Sequence, residues 1–361
     1  MTISNELWVR RDNIEITRPA QVEISSLREG QILVEIERFA LSANNVTYAV
    51  SADSLGYWNY FPGDAVWGRV PVWGFATVVE SKCREIRSGE RIWGFFPMAS
   101  HAVLTPGGML DELFIDISPH RSELPSAYNE YRRTDAEPPY FRGMDNERCL
   151  LYPLYGTAFL ICDHLVDNNF FGASQVIISS ASSKTASGLA YMLRHNTSIK
   201  HACIGVTSEE NVSTVKELGC YDQVINYREL PVIDTKCSSI YVDMSGNADT
   251  LEKLHNHLGD NVKKSYRVGV THWKNTGSRK GLPGARPEFF FAPHQIAKRE
   301  KDWGRGVVQK MGMKASAEAA KALGKNLSID WVTTTDGLSK TWCDMVENKI
   351  RPNRGLMVKL L

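Results

Sequence analysis

The segment of this sequence best suited to binding an anion is residues 179–185, SSASSKT, which is rich in hydroxyl groups and contains Lys184. It follows a short apolar run at residues 175–179 and precedes a helical pattern that continues to residue 193. A loop between a buried strand and a helix presents free backbone N–H groups and the positive end of the helix dipole to an anion. The hydroxyls would add hydrogen-bond donors, and the Lys184 ammonium would add charge for a phosphate. The alternative interpretation is an ordinary Ser or Thr cap at the start of a helix.

The elements that would position this loop are those of a βαβ domain. From residue 150 onward, apolar runs at residues 175–179, 202–206, 223–225 and 240–244 alternate with helical patterns. A further run at residues 266–270 follows the last of these helical patterns. Such alternation is typical of a parallel sheet covered by helices.

The first part of the chain, residues 1–118, has a different character. Residues 31–40 alternate apolar and charged side chains, and residues 70–80 and 90–96 are further predicted strands. Frequent glycines and prolines favour a small barrel or sandwich. Residues 119–148 are polar and contain a Pro-Pro pair, which predicts either a long connecting loop or an inserted lid over a cleft.

Composition excludes several classes of function. The 361 residues are 43% hydrophobic and 23% charged, which is ordinary for a globular protein. With 42 basic and 41 acidic residues, and with acidic residues interspersed in the basic stretch 298–305, we predict no nucleic-acid partner. We also predict no membrane segment, because no run of about 18 apolar residues and no signal-peptide core is present. Seven scattered cysteines without a C-x-x-C pair predict free thiols and a cytoplasmic location.

Several segments, in chain order, resemble the medium-chain dehydrogenase/reductase superfamily, close to its quinone oxidoreductase and enoyl reductase branches. The resembling segments are residues 30–45, 78–94 (ending GERIWG), 152–158 (YPLYGTA), 175–193, 216–227 (KELGCYDQVINY), 242–246 (VDMSG) and 347–361. Their joint order carries the resemblance, more than any one motif. The segments SSKTA, 56–62 and 287–304 also suggest a less-studied branch of unknown function.

The resemblance implies an α/β fold with two domains. One is a Rossmann dinucleotide-binding domain with a doubly wound parallel sheet, over residues 149–300. The other is a β-rich, GroES-like catalytic domain, formed by residues 1–148 with 301–361. The closing segment is expected to return to the catalytic domain as a strand.

The resemblance also implies a dinucleotide on the hydroxyl-rich loop, although the superfamily's glycines are replaced there. Either the phosphates are held further out by hydroxyls and Lys184, or dinucleotide binding has weakened. We predict NADP(H) rather than NAD(H), because Thr207 and Ser208 stand where an acidic residue would hold the NAD ribose. The predicted cofactor-binding residues are Ser180, Ser182, Ser183, Lys184, Thr185, Thr207, Ser208, Asn211, Tyr227, Ser245 and His272.

On the substrate side, the resemblance points to residues 44–61. A hydride acceptor needs an acid or a hydrogen-bond donor where negative charge develops. Tyr48 is the predicted donor, with Tyr57 second and Asn44 as the third member of the predicted catalytic group. The predicted substrate pocket consists of Asn45, Thr47, Trp58, Tyr60, Phe61 and Trp273. Its aromatic run would wall an apolar or aromatic substrate, and the alternative interpretation is core packing.

We predict no metal site. The superfamily's zinc-dependent branches use a Cys, a Gly-His-Glu motif and a cysteine cluster, whereas here no histidine precedes His101 and the cysteines are scattered. The resemblance therefore implies a zinc-independent, NADP(H)-dependent oxidoreductase that acts as a homodimer on a carbonyl or activated alkene, and the cysteine pattern predicts that it is cytoplasmic. The alternatives are a non-redox lyase or hydrolase and an NADPH-binding sensor on the same fold.

Overall fold

The computed structural model describes residues 2–268 and 281–360. The chain forms two compact units. The first unit is Met1–Leu150 with Leu327–Leu361, and the second unit is Leu151–Asn326.

The strands and helices are numbered along the chain. The strands are Thr2–Arg10 (β1), Thr17–Ile24 (β2), Ile32–Leu41 (β3), Trp67–Gly68 (β4), Pro71–Ser81 (β5), Arg91–Pro97 (β6), His101–Leu104 (β7), Pro106–Gly107 (β8), Leu113–Asp116 (β9), Glu130–Arg133 (β10), Gln175–Ser179 (β11), Ala202–Thr207 (β12), Gln223–Asn226 (β13), Ser239–Asp243 (β14), Val262–Arg267 (β15), Pro287–Phe289 (β16), Ser328–Val332 (β17) and Arg354–Val358 (β18). The helices are Ala43–Val50 (α1), Ala52–Leu55 (α2), Asp145–Asp167 (α3), Lys184–His195 (α4), Val212–Glu217 (α5), Ala248–Leu258 (α6), Ala292–Trp303 (α7), Val307–Leu323 (α8) and Thr335–Val346 (α9).

The first unit is built on a sheet in the order β17-β18-β3-β5-β6-β10-β9-β8, with β7 also paired to β3. The alternation in β3 predicts one solvent-facing side, but Ile32, Leu33 and Val34 are buried in succession. Both faces of the strand are therefore covered at this end. Gly74 lets β5 approach β3, because a Cβ there would collide with the Arg38 carbonyl oxygen. The last strand, β18, pairs antiparallel with β3 and so belongs to the first unit, as the resemblance implied.

Residues 119–148 are more than a connecting loop, because they contain a strand, and the lid interpretation stays a prediction. Their strand β10 pairs with β6 and β9 and extends the sheet. The polar composition is misleading because three of its arginines, Arg121, Arg132 and Arg148, are buried in ion pairs. Arg121 is 1% exposed, lies 3.3 Å from the equally buried Asp116, and stacks over Phe61. Arg148 pairs with Glu137 and stacks over the Trp93 ring.

The second unit is built on a parallel sheet in the order β13-β12-β11-β14-β15-β16. Counted along the chain, this is the 3-2-1-4-5-6 order of a Rossmann fold, which confirms the predicted fold class. Strand β15 begins earlier than the predicted run at 266–270. Val262 and Ser265 are already buried in the sheet, and Lys264 pairs with Glu288 on β16. The close packing of α4 depends on Gly188, where a Cβ would collide with the Tyr155 ring of α3.

The boundary predicted at residues 300/301 requires correction. Helix α8 packs against α4 and α7, with Met313, Ala317 and Ala320 buried. Its apolar side therefore completes the second unit, which ends at Asn326.

Among the described helices, α3 alone is long and apolar enough to cross a membrane, by length and composition. The apolar runs of the sequence predicted no such segment. More than half of the apolar stretch of α3 is buried inside the protein, and a core helix has the same length and composition.

Candidate active site

The hydroxyl-rich loop lies at the point where the strand order of the second unit reverses. The loop joins β11 to α4, and β11 is flanked by β12 on one side and β14 on the other. Ligands of open α/β sheets bind at the carboxyl ends of the strands beside this reversal. The start of α4 is therefore the candidate nucleotide site.

The loop keeps a left-handed turn without a glycine. Ser180 has a φ of 49°, a conformation that costs a side-chain-bearing residue about 1–2 kcal/mol. Its backbone N–H donates to the Tyr227 hydroxyl at 3.0 Å, which holds the turn from the end of β13. The predicted cofactor-binding residues Ser180 and Tyr227 thus lie together, and their contact with a cofactor stays a prediction.

The start of α4 offers donors suited to a phosphate. The Ser183 hydroxyl accepts the Ala186 N–H at 3.3 Å, and the other N–H groups of a helix's first turn have no partner within the helix. Ser182 accepts a hydrogen bond from Thr207 at 3.4 Å, and Thr185 follows in the first turn. Backbone N–H groups, hydroxyls and an ammonium group form a donor set that fits a pyrophosphate.

Lys184 is the first residue of α4. Its side chain retains a partly exposed surface, but the protein surrounds the ammonium group and removes most of its water. Burial lowers the pKa of Lys184 from 10.5 to about 8.

A buried polar network lies at the ends of β11 and β14. The Asp243 carboxylate accepts the Ser179 hydroxyl at 2.7 Å, the Ser245 hydroxyl at 2.7 Å and the Gly246 N–H at 3.1 Å. The Ser245 hydroxyl also accepts the Asn247 N–H at 3.2 Å, and Ser245 is 1% exposed. These contacts give Ser245 a structural role, while its predicted cofactor contact stays a prediction.

The end of β12 carries an ion pair that sequence reasoning missed. Asn211 donates to the Ser208 hydroxyl at 2.8 Å, and Ser208 donates to Glu210. Arg228 lies 3.5 Å from Glu209, and both side chains are exposed. Arg228 directly follows Tyr227, so its adjacency to the predicted tyrosine was a signal that could have identified it.

In the first unit, Tyr48 lies on α1 and is 4% exposed. Its hydroxyl oxygen accepts two hydrogen bonds, from Asn44 Nδ2 at 2.7 Å and from Trp73 Nε1 at 3.1 Å. Burial raises the pKa of Tyr48 well above its ordinary value, and nearby Tyr128 adds to the rise, whereas the two N–H donors lower it. Asn44 and Tyr48, two members of the predicted catalytic group, are thus in direct contact.

Tyr48 belongs to a group of four phenols, Tyr48, Tyr57, Tyr60 and Tyr128, which we call the tyrosine cluster. The Tyr48 and Tyr57 ring centroids are 4.5 Å apart, and the Tyr57 and Tyr128 hydroxyl oxygens are 3.2 Å apart. Sequence reasoning missed Tyr128 and Trp73. Tyr128 is 71 positions from its hydroxyl partner, so no local pattern could reveal that contact.

The predicted substrate-pocket residues are largely engaged in packing. The Asn45 amide accepts the Ser42 N–H and donates to the Pro71 carbonyl, which ties the start of α1 to β5. The Thr47 hydroxyl donates to the Ala43 carbonyl at 3.3 Å. The predicted contact of Asn45 and Thr47 with a substrate stays a prediction.

The aromatic run is buried. Trp58, Tyr60 and Phe61 are 3%, 0% and 6% exposed. Trp58 covers Gly68, Phe61 lies under Arg121, and Tyr60 belongs to the tyrosine cluster. The structure therefore brings Tyr60 to Tyr48 and Tyr57 but gives Trp58 and Phe61 other neighbours.

Two predicted residues, His272 and Trp273, lie outside the described residues. Within residues 2–268 and 281–360, no three His, Cys, Asp or Glu side chains are grouped so that they could hold a metal ion. The predicted absence of zinc stays a prediction.

Solved structures share this fold at low sequence identity. CurA from Vibrio vulnificus in complex with NADPH is 12% identical over 99% of each chain, with a TM-score of 0.64. The yhdH oxidoreductase from Salmonella enterica in complex with NADP is 13% identical over 99% of this chain and 100% of its own, with a TM-score of 0.54. The Etr1p/NADP/crotonyl-CoA complex, whose Etr1p is a 2-enoyl thioester reductase from Candida tropicalis, is 12% identical, covers 99% of each chain and has a TM-score of 0.60. The chain therefore has the fold of medium-chain reductases, with a Rossmann domain and a GroES-like β-rich domain.

Sequence comparison gives a family without an assigned activity. The model described as "Protein of unknown function (DUF2855)" matches residues 39–351. The chain matches no curated protein sequence.

Proposed function

We propose that this chain, which belongs to the DUF2855 family, is an NADP(H)-dependent oxidoreductase that transfers hydride to a carbonyl or activated alkene. The observation that carries the proposal is the phosphate-compatible donor set at the start of α4, beside the strand reversal of a Rossmann sheet. The NADPH bound to CurA and the NADP bound to the yhdH oxidoreductase support the same cofactor.

The residues of the second unit would hold the dinucleotide. The first-turn N–H groups of α4, the hydroxyls of Ser182 and Thr185 and the Lys184 ammonium would bind the pyrophosphate. No carboxylate ends β12, and Tyr227 and Arg228 at the end of β13 would accept the 2′-phosphate. When bound, NADPH would supply the hydride.

Tyr48 would supply the proton or hydrogen bond that the reaction needs. Hydride addition leaves negative charge on the acceptor, and a buried phenol is a suitable donor to that charge. The aromatic surroundings of Tyr48 favour a small apolar or aromatic substrate. The presence of crotonyl-CoA in the Etr1p complex supports an activated alkene as acceptor.

The experiment is loss of NADPH absorbance with a panel of enones, enoyl thioesters and aromatic carbonyls. We expect turnover by the wild type and at least a hundred-fold loss in kcat for Tyr48→Phe, in line with the contribution of about 10²–10⁴ from general acids. Tyr140→Phe, at an exposed tyrosine, is the matched control and should keep full activity. Turnover by Tyr48→Phe at the wild-type rate would reject Tyr48 as the donor.

One observation favours the non-redox alternatives. The Ser180 N–H already donates to Tyr227, so the loop has one backbone donor fewer for a phosphate. A protein that binds NADPH without turnover would be a sensor, and one that binds no nucleotide would be a lyase or hydrolase on this fold.

Three further properties belong to the proposal: a zinc-independent reaction, a cytoplasmic location and a homodimer. Strand β16 supports the dimer, because it ends one side of the parallel sheet and Phe289 on it is 43% exposed. Light scattering of the purified protein tests the dimer, and elemental analysis tests for zinc.

A further inference from the structure

We propose that Trp73 is a positioning residue that prepares Tyr48 to give up its proton. The inference rests on the proposed function. Trp73 Nε1 donates to the Tyr48 hydroxyl oxygen at 3.1 Å, and Asn44 Nδ2 donates to the same oxygen at 2.7 Å.

Two N–H donors on one phenol oxygen fix the direction of its hydrogen. A tyrosine hydroxyl has one hydrogen to donate and lone pairs with which to accept. Asn44 and Trp73 both bring hydrogens, so they occupy the lone-pair side of the Tyr48 oxygen. The O–H bond must then point away from both donors, toward a third acceptor. In the proposed reaction, that acceptor is the substrate atom on which negative charge develops.

The same two donors stabilise the product of proton transfer. When Tyr48 gives up its proton, the O–H bond breaks, a new bond to the substrate forms, and the electron pair stays on the phenol oxygen. A proton from water later restores the hydroxyl. Burial disfavours the phenolate, whereas N–H donors bind an anion more strongly than a neutral oxygen. Trp73 and Asn44 therefore do for the tyrosinate what an oxyanion hole does for a reacting oxygen.

The fold holds the Trp73 indole in this geometry. Trp73 lies on β5, whose backbone pairs with β3 on one side and β6 on the other. Its ring stacks on Trp93 at 4.7 Å between centroids with an interplanar angle of 16°, and it packs against Phe95 at 4.8 Å. An indole held between neighbouring rings keeps its N–H directed at Tyr48 without loss of side-chain entropy at the moment of reaction.

The test begins with the hydrogen bond in the substrate-free protein. The measurement is an NMR spectrum of protein labelled with ¹⁵N at its indoles. Of the signals of the nine tryptophans, the one that is missing from the spectrum of Trp73→Phe belongs to Trp73 Nε1–H. We expect this signal to move upfield in Tyr48→Phe, which keeps the ring but removes the acceptor. An unchanged signal would overturn the inference whatever the activity of the enzyme.

The kinetic test compares Trp73→Phe with Trp331→Phe, which changes an exposed tryptophan of the first unit. Loss of one hydrogen bond predicts a fall in kcat of about ten-fold for Trp73→Phe, with KM little changed. The solvent deuterium isotope effect on kcat should increase, because proton transfer becomes more rate-limiting. Trp331→Phe should change neither quantity, and melting curves check that each variant folds.

The outcomes separate the inference from the proposed function. An active wild type, with Trp73→Phe at the wild-type kcat and isotope effect, overturns the role of Trp73 and leaves the reductase standing. A wild type that consumes no NADPH with any acceptor overturns the proposed function and the inference with it.

Discussion

The side chain of Lys184 occupies a position where both burial and the helix dipole disfavour its positive charge. The residue begins α4, and its pKa is lowered to about 8 by burial. A cation near a helix start loses roughly 0.3–1 kcal/mol from the dipole alone. A bound phosphate would compensate both penalties, which is the physical reason for assigning Lys184 to the cofactor.

Replacing Lys184 should therefore separate binding from stability. Lys184→Met removes a charge-assisted contact of about 1.5–3 kcal/mol, so we expect NADPH affinity to fall roughly ten- to a hundred-fold. The unliganded variant should melt at a higher temperature than the wild type, because a poorly solvated charge is gone. Isothermal titration and melting curves measure both effects, with the exposed Lys253→Met as control. Unchanged affinity in a folded Lys184→Met would remove the phosphate role.

NADPH binding should depend on pH with a break near 8. Below pH 8 Lys184 is already protonated in the unliganded protein, so the affinity is flat. Above the pKa of about 8 the lysine of the unliganded protein is neutral, and binding a phosphate requires uptake of a proton, so the affinity falls. Without ligand, the unfolded chain binds more protons than the folded protein between pH 8 and 10.5, so stability should rise across that interval. Lys184→Met should lose both dependences, and a wild-type affinity that is constant from pH 7 to 9.5 would contradict the phosphate role.

Contacts of single residues could be predicted from the sequence only where they are local. Asn44 and Tyr48 are four residues apart on a helix, a spacing that brings side chains together. Trp73 reaches the Tyr48 hydroxyl from β5, and Tyr128 reaches the Tyr57 hydroxyl from the polar segment 119–148. Side-chain contacts between residues far apart in the sequence leave no mark in a short stretch of it, so these two residues were missed.

At the scale of elements, the turn between β11 and α4 shows how a loop can keep its shape after its glycines are lost. Ser180 holds the left-handed conformation, and Tyr227 accepts its N–H from the end of a different strand. The apolar runs predicted strands β11 to β14 to within a few residues, because buried parallel strands are continuously apolar. Strand β15 begins with VKKS, and its two lysines interrupt the apolar run from which a buried strand is predicted.

The strain at Ser180 can be measured directly. Ser180→Gly should raise the free energy of unfolding by up to about 1 kcal/mol, because glycine adopts positive φ without a steric penalty. Ser213→Gly, at an exposed position in α5, should instead lower it by roughly 0.5 kcal/mol. Urea unfolding of both variants provides the comparison. A loss of stability in Ser180→Gly equal to that of Ser213→Gly would mean that the turn at Ser180 is unstrained.

The ends of β12 and β13 should decide between NADPH and NADH. Arg228→Gln removes the exposed cation beside Tyr227, so we expect the ratio of NADPH to NADH affinity to fall about three- to ten-fold. Glu209→Gln removes the competing carboxylate and should raise that ratio. Arg194→Gln, which breaks another exposed ion pair of the second unit, is the control and should leave the ratio unchanged. An Arg228→Gln variant with the wild-type ratio would assign the preference to other residues.

At the scale of the whole molecule, the order of the motifs along the chain was sufficient to predict the fold. The strand order of the second unit and the return of β18 to the first unit both follow the expected pattern. The structure of residues 119–148 and the domain to which residues 301–326 belong could not be predicted in this way. The first segment buries arginines in ion pairs, and α8 in the second has an apolar side that matches α4 and α7. Both depend on partners distant in sequence, which composition does not identify.

A loop without glycines that still binds NADPH is the feature on which the proposed function most depends. Isothermal titration of the purified wild-type protein with NADPH and with NADH at pH 7 tests this binding without any knowledge of the substrate. We predict saturable binding of one dinucleotide per chain, tighter for NADPH than for NADH. No binding of either dinucleotide up to about 1 mM, a limit that corresponds to roughly 4 kcal/mol, would contradict the proposed function.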